Sequence, residues 1–149
     1  MDNKIIASQK LVRQTETEVV NISQIYEKLL KKSKQPLNRL DVLYELALGE
    51  VMTQGQLAQR INRPKQTINN IITKMQQEGL VDLTPLKTDG RKKVISLTKK
   101  GRIAAAKDLD FMFQVEDRLV DAMGTVKMQQ LIELEREYAK NLQTIAEEF

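Results

Sequence analysis

Eleven of the 24 Lys and Arg side chains fall within the fifty residues from Thr53 to Arg102, against three Asp or Glu. The other ninety-nine residues carry thirteen basic and seventeen acidic side chains, so a formal charge of +4 conceals a +8 segment whose flanks sum to −4. Charge gathered in one segment calls for a polyanionic partner. The same segment holds a run of amides and hydroxyls, Gln66, Thr67, Asn69, Asn70, Thr73 and Gln77. Asn and Gln bond adenine N6 and N7 in a bidentate fashion, and Thr offers a hydroxyl and a methyl group to thymine. The pairing of cations with amides suits double-stranded DNA, with an A/T-leaning site. On its own, the amide face would also suit a plain solvated surface.

Two zeros in the composition exclude most other chemistries. Without cysteine there is no disulfide, thiolate sensor or cysteine nucleophile, and without histidine the usual zinc site and the Ser/His/Asp triad are excluded. The six glycines, at 49, 55, 79, 90, 101 and 124, never cluster into a phosphate-cradling loop. No carboxylate pair stands out for acid/base work. The expectation is a protein that is not an enzyme and uses no cofactor or metal. No run approaches the roughly 18 to 20 apolar residues of a membrane span, and Met1-Asp2-Asn3-Lys4 lacks a signal-peptide layout, so a cytoplasmic protein is expected.

Helices must position these groups. Between about Ile5 and Leu30, Val12, Val19, Ile22, Ile25, Tyr26, Leu29 and Leu30 recur at helical spacing, and Lys31 to Pro36 ends the segment. A second helix is expected from about Leu37 to Leu48, stopped by Gly49. Thr53 and Gln56 fit a capping box, with Met52 and Leu57 at the staple positions, so a short helix begins at Gln54. It ends near Ile61, because Asn62 tolerates a left-handed backbone, and Pro64 suits the first turn of the next helix. Ile68, Ile71, Ile72 and Met75 give that next helix its apolar stripe, and Gly79 with Leu80 predicts a Schellman ending. Leu80 to Thr84 and Val94 to Leu97 read as strands joined by the polar loop 85–93 with its Asp89-Gly90 turn. Thr98 caps a long helix to Met123, Gly124 breaks it, and a last amphipathic helix covers about Val126 to Glu148. The fold class is mainly α with a small β-hairpin, a winged helix-turn-helix flanked by N- and C-terminal dimerisation helices.

With the isoleucine stripe facing the core, Gln66, Asn70, Thr73 and Gln77 point outward, and Thr67, Asn69 and Lys74 flank them. Arg63, Lys65, Lys99 and Lys100 occupy helix N-termini, where the dipole disfavours cations by roughly 0.3 to 1 kcal/mol each. A DNA phosphate at those N-termini would be drawn by the amide dipoles and the side chains together. Surface solubility is the plainer explanation. In the loop, Lys87, Arg91, Lys92 and Lys93 place four cations within seven residues, and Arg91 is the candidate for a narrow A/T minor groove. Asp89 either orients Arg91 through a charge-assisted bond or simply forms the turn beside Gly90.

These residues resemble the MarR family of multiple-antibiotic-resistance regulators through Leu57-Ala58, Lys65 to Glu78, Gly79-Leu80-Val81, Asp89-Gly90-Arg91 and Leu97-Thr98-Lys99-Lys100-Gly101-Arg102. The likeness is close over about residues 40 to 105 and architectural elsewhere. It implies a triangular homodimer, a pseudo-palindromic operator, and repression relieved by a small anionic or phenolic effector. The family's pocket lies between dimerisation helices and winged helix, which makes Tyr26 and Tyr44 candidate lining residues, or plain core edges. This chain departs from the family at Arg63-Pro64, where most relatives have an apolar residue and a serine cap. It departs again at Asn69-Asn70, where a Thr-Arg pair is common; the change removes a guanidinium near DNA and bears on specificity or phosphate contact. Lacking cysteine and histidine, the chain fits neither the peroxide-sensing nor the zinc-sensing branch.

The end helices carry apolar stripes that a small winged helix cannot bury, which points to a second copy of the chain. The division expected within a single unit of residues 1–149 is a DNA-binding lobe at 37–102 and a dimerisation lobe made of 1–34 plus 103–149. A symmetric dimer would set two recognition helices in successive major grooves about 34 Å apart, on an inverted repeat. The alternative is a winged-helix module that binds DNA without sequence preference, or binds a protein through the same basic face.

Overall fold

The computed structural model describes residues 3–33, 35–49, 52–86 and 89–149, without the side chains of 3–5 and 89–91. In chain order the elements are α1 (Asn3–Leu30), α2 (Leu37–Ala47), β1 (Met52–Thr53), α3 (Gln54–Arg60), α4 (Lys65–Gln77), β2 (Val81–Leu86), β3 (Asp89–Leu97), α5 (Lys99–Met123) and α6 (Thr125–Ala146). The architecture is mainly helical with one small antiparallel sheet, as the periodicity predicts.

The helix ends follow from local chemistry. Thr53 Oγ1 accepts from the Gln56 amide at 3.3 Å and Gln56 Oε1 accepts from the Thr53 amide at 2.9 Å, closing the capping box. At the far end of α3, Asn62 takes the left-handed conformation at φ +50°. The Asn62 and Arg63 amides then donate to Gln59 O (3.2 Å) and Ala58 O (2.9 Å), a Schellman ending with asparagine in glycine's place. Helix α4 ends the same way, with Gly79 at φ +70° and the Gly79 and Leu80 amides on Gln76 O and Met75 O.

Three details differ from the sequence expectation. Pro64 is the N-cap of α4, with extended ψ of 139°, and does not sit inside the first turn; Lys65 is the first helical residue. The strands consume most of the expected loop 85–93, because the ladder continues through Thr84↔Val94 and Pro85↔Lys93 before breaking register at Leu86↔Asp89. Pro85 is tolerated because β2 is an edge strand, where a missing N–H costs no central ladder bond. Finally, β1 was not expected. Thr53 must be extended to cap α3, at φ −77° and ψ 163°, and this lets Met52 and Thr53 pair with Ile95 and Val94 to give the order β1-β3-β2.

The chain divides into two compact units, residues Met1–Asp110 and Phe111–Phe149. The boundary between these units lies inside α5, and α1 falls in the first unit with α2, α3, α4 and the sheet. In the first unit, Leu40, Leu43, Leu57, Ile68, Ile72, Met75, Val81, Ile95 and Leu109 are fully buried, which joins α2, α3, α4, the sheet and the start of α5 in one core. No described helix is long and apolar enough to cross a membrane.

A candidate nucleic-acid interface

The apolar stripe of α4 decides what its other face can do. Ile68, Ile72 and Met75 are completely buried and Ile71 is half-buried, so Gln66, Asn69, Asn70, Thr73, Lys74 and Gln77 are exposed, with Thr67 half-buried at the margin. The amides are already partly committed. Gln66 Nε2 donates to Asn70 Oδ1 at 3.1 Å, which leaves Asn70 Nδ2 as donor and Gln66 Oε1 as acceptor, side by side on one face. That donor and acceptor together match the pattern adenine shows in the major groove. Thr73 Oγ1 donates to Asn69 O at 2.8 Å, so its hydroxyl hydrogen is spent and its methyl remains for apolar contact.

The cations separate into two groups. Lys65, Lys74, Lys92, Lys93 and Lys99 are exposed on the start and flank of α4, on β3 and on the start of α5. Lys87 and the side chains of Asp89 and Arg91 lie outside the described residues, although the backbone of Asp89 and Arg91 belongs to β3. At least four other cations of the basic segment turn inward. Arg60 Nε lies 2.6 Å from Glu45 Oε2. Arg63 Nε donates to Asn38 Oδ1 at 3.1 Å, and its Nη2 is 3.7 Å from Asp41 Oδ2. Lys100 Nζ donates to Glu78 O at 2.7 Å, covering the C-cap carbonyl of α4, and Arg102 Nη1 donates to Leu97 O at 2.8 Å. The charge of +8 therefore overstates what the segment offers to an external anion.

Sequence reasoning missed the polar side of α2, which receives Arg60 and Arg63. Arg39 forks onto Glu78, Nη1 to Oε1 at 3.0 Å and Nη2 to Oε2 at 2.6 Å. No local signal could have shown this, since the partners are 39 residues apart. The hydrogen bonds from Arg39 hold the Glu78 carboxyl below its usual range, and Glu78 in turn raises Arg39. Asp41 moves the other way: burial raises its carboxyl, and the charge of Arg63 opposes that rise. A lowered carboxyl gives stability that is complete above its ordinary value near 4.5 and is lost as pH falls through the folded value. Glu78→Gln should therefore cost about 1 kcal/mol or less at pH 7, given solvent screening of this half-exposed group. Melting curves of the two proteins should converge as pH falls from about 5 towards 3; a constant gap would mean the pair contributes nothing through its charge.

Tyr26 and Tyr44 are both half-buried, on α1 and α2. Helix α1 also exposes Leu11, Val19, Ile22 and Ile25, while α6 has no buried residue and exposes Leu131, Leu134, Tyr138, Leu142 and Ile145.

Known proteins share this fold. Residues 36–92 match the MarR family model. A Bacillus cereus protein described as an uncharacterized HTH-type transcriptional regulator is 24% identical over 110 residues, which span 74% of this chain and 73% of that one. Among solved structures, a MarR family regulator from Neisseria meningitidis superposes with a TM-score of 0.75 at 24% identity, covering 93% of this chain and 99% of the other. The PcaV transcriptional regulator of Streptomyces coelicolor, solved with its natural ligand, superposes at 0.56 and 17% identity, over 82% and 89% of the two chains. A segment at residues 36–92 that matches the MarR family model, and a fold shared with MarR family structures along nearly the whole chain, accompany the exposed amide face of α4 and the basic hairpin.

Proposed function

We propose that the protein is a homodimeric, sequence-specific repressor of the cytoplasm, which binds an inverted-repeat operator in double-stranded DNA and leaves it when a small anionic or phenolic effector binds. The observation that carries this reading is the exposed face of α4, where the Gln66–Asn70 amide pair presents a donor and an acceptor to a groove. Lys65, Gln66, Thr67, Asn69, Asn70, Thr73 and Lys74 would meet the major groove, and Lys87, Arg91, Lys92 and Lys93 of the wing the adjacent minor groove and phosphates. Lys99 would add a phosphate contact.

The exposed leucines and isoleucines of α1 and α6 support a dimer, since monomers rarely leave such stripes open. Sedimentation should give twice the 17.1 kDa chain mass. The PcaV regulator, solved with its natural ligand, supports effector control, with Tyr26 and Tyr44 as the residues proposed to line the effector site. Release by an effector would be a population shift towards dimers whose recognition helices are wrongly spaced. Replacing Arg91 by Ala should weaken operator binding by about 1 to 3 kcal/mol and leave the melting temperature unchanged. Unchanged affinity in a titration would remove the wing arginine from the interface.

A further inference from the structure

Both ends of α4 are tied to the first turns of α2. Arg63, two residues before α4 begins, bonds Asn38 and approaches Asp41, while Glu78, the residue after α4 ends, is gripped by Arg39. The two ties are fifteen residues apart along the chain, about 22 Å at helical rise. Helix α4 rests on the core through Ile68, Ile72 and Met75, apolar contacts that resist separation but have no preferred direction. Rocking of roughly 10° about one end would carry the other about 4 Å at that length, beyond the tolerance of a hydrogen bond to a base edge. Two directional ties at opposite ends remove that freedom. A guanidinium is suited to the task because its planar fork fixes angle as well as distance, and Arg39, on which Asp108 of α5 also acts, is mostly buried.

We propose that Asn38, Arg39 and Asp41 form a two-point bracket on the recognition helix, and that Arg39 and Arg63 are positioning residues for base readout and not phosphate ligands. For Arg63 this departs from the expectation set by its place at a helix N-terminus. The inference rests on the reading of α4 as the helix that meets bases, but the bracket itself can be tested without DNA.

The experiment uses the full chain in three forms: wild type, Arg63→Ala, and the acceptor-side double variant Asn38→Ala with Asp41→Asn, which keeps the guanidinium. Amide hydrogen exchange of the DNA-free proteins is measured first, followed by binding to a selected operator and to a random duplex at several salt concentrations. The bracket predicts exchange at residues 62–68 faster by about tenfold or more in both variants. It also predicts a similar loss of operator preference in both, with the salt slope of Arg63→Ala unchanged. A phosphate ligand would instead lower that slope by about 0.9 per protomer. Such a fall, or exchange unchanged in either variant, overturns the proposal. For the other tie, Arg39→Glu should speed exchange at the end of α4 and added Glu78→Arg should restore it; no rescue would refute that arm. A wild-type protein that prefers no sequence would instead defeat the operator reading, and the exchange result would still judge the bracket.

Discussion

Gly101→Ala is expected to lower the melting temperature by about 6 to 12 °C, from an overpacking cost of about 3 kcal/mol and a shift of roughly 2 to 4 °C per kcal/mol in a chain of this length. A Cβ at Gly101 would stand 1.9 Å from Leu80 O and 2.9 Å from Leu80 C. Both are backbone atoms, so no side chain can swing aside. Leu80 closes the Schellman ending of α4, and its carbonyl also accepts the Thr98 amide at 3.0 Å. Thr98 Oγ1 accepts from the Gly101 amide at 2.9 Å and donates to Gly79 O at 2.7 Å. Gly101 is therefore the point where the start of α5 meets the end of α4, and pushing it away breaks the Thr98 cap as well. Operator affinity should fall with stability. A melting temperature within about 2 °C of wild type would show that α5 can retreat without cost, and would remove this junction from the account.

Asn70→Ala is expected to cost about 1 to 3 kcal/mol in each half-site at one or two base pairs. A symmetric dimer counts that twice, so operator affinity should fall at least roughly 30-fold while affinity for random DNA stays within about twofold. Because Gln66 Nε2 is bonded to Asn70 Oδ1, Gln66→Ala should cause a comparable loss, and the double variant less than the sum of the two. Competition titrations with operators altered one base pair at a time would read this directly. An equal loss on every duplex would mean that Asn70 serves the DNA backbone.

The parts of the fold that were legible in the sequence are those settled within a few residues. Thr53 with Gln56, Asn62, Gly79 with Leu80, Thr98 and Gly124 each declare a helix end through bonds spanning at most five positions, or through a positive φ. The α4 stripe was legible for a similar reason, since one helical period sorts Ile68, Ile72 and Met75 from Gln66, Asn70 and Thr73. Long-range pairing left no such mark. Strand β1 exists only because β3 is beside it, and the hairpin extends through polar Lys92 and Lys93 because its ladder outweighs their composition. Gly101 stood inside the basic motif after Leu97, yet the reason it must be glycine lies 21 residues earlier at Leu80. The same holds for charge. A count along the chain cannot show that Arg63, Lys100 and Arg102 are spent on Asn38, Glu78 O and Leu97 O.

Selection of binders from a pool of random duplexes tests the central claim most directly. The account predicts enrichment of an inverted repeat whose half-sites lie about one helical turn apart, matching two α4 helices related by a two-fold axis. A pool that binds at low salt, loses binding steeply as salt rises and enriches no motif would contradict it, and would assign the basic hairpin and the amide face to a module that reads only the phosphate backbone.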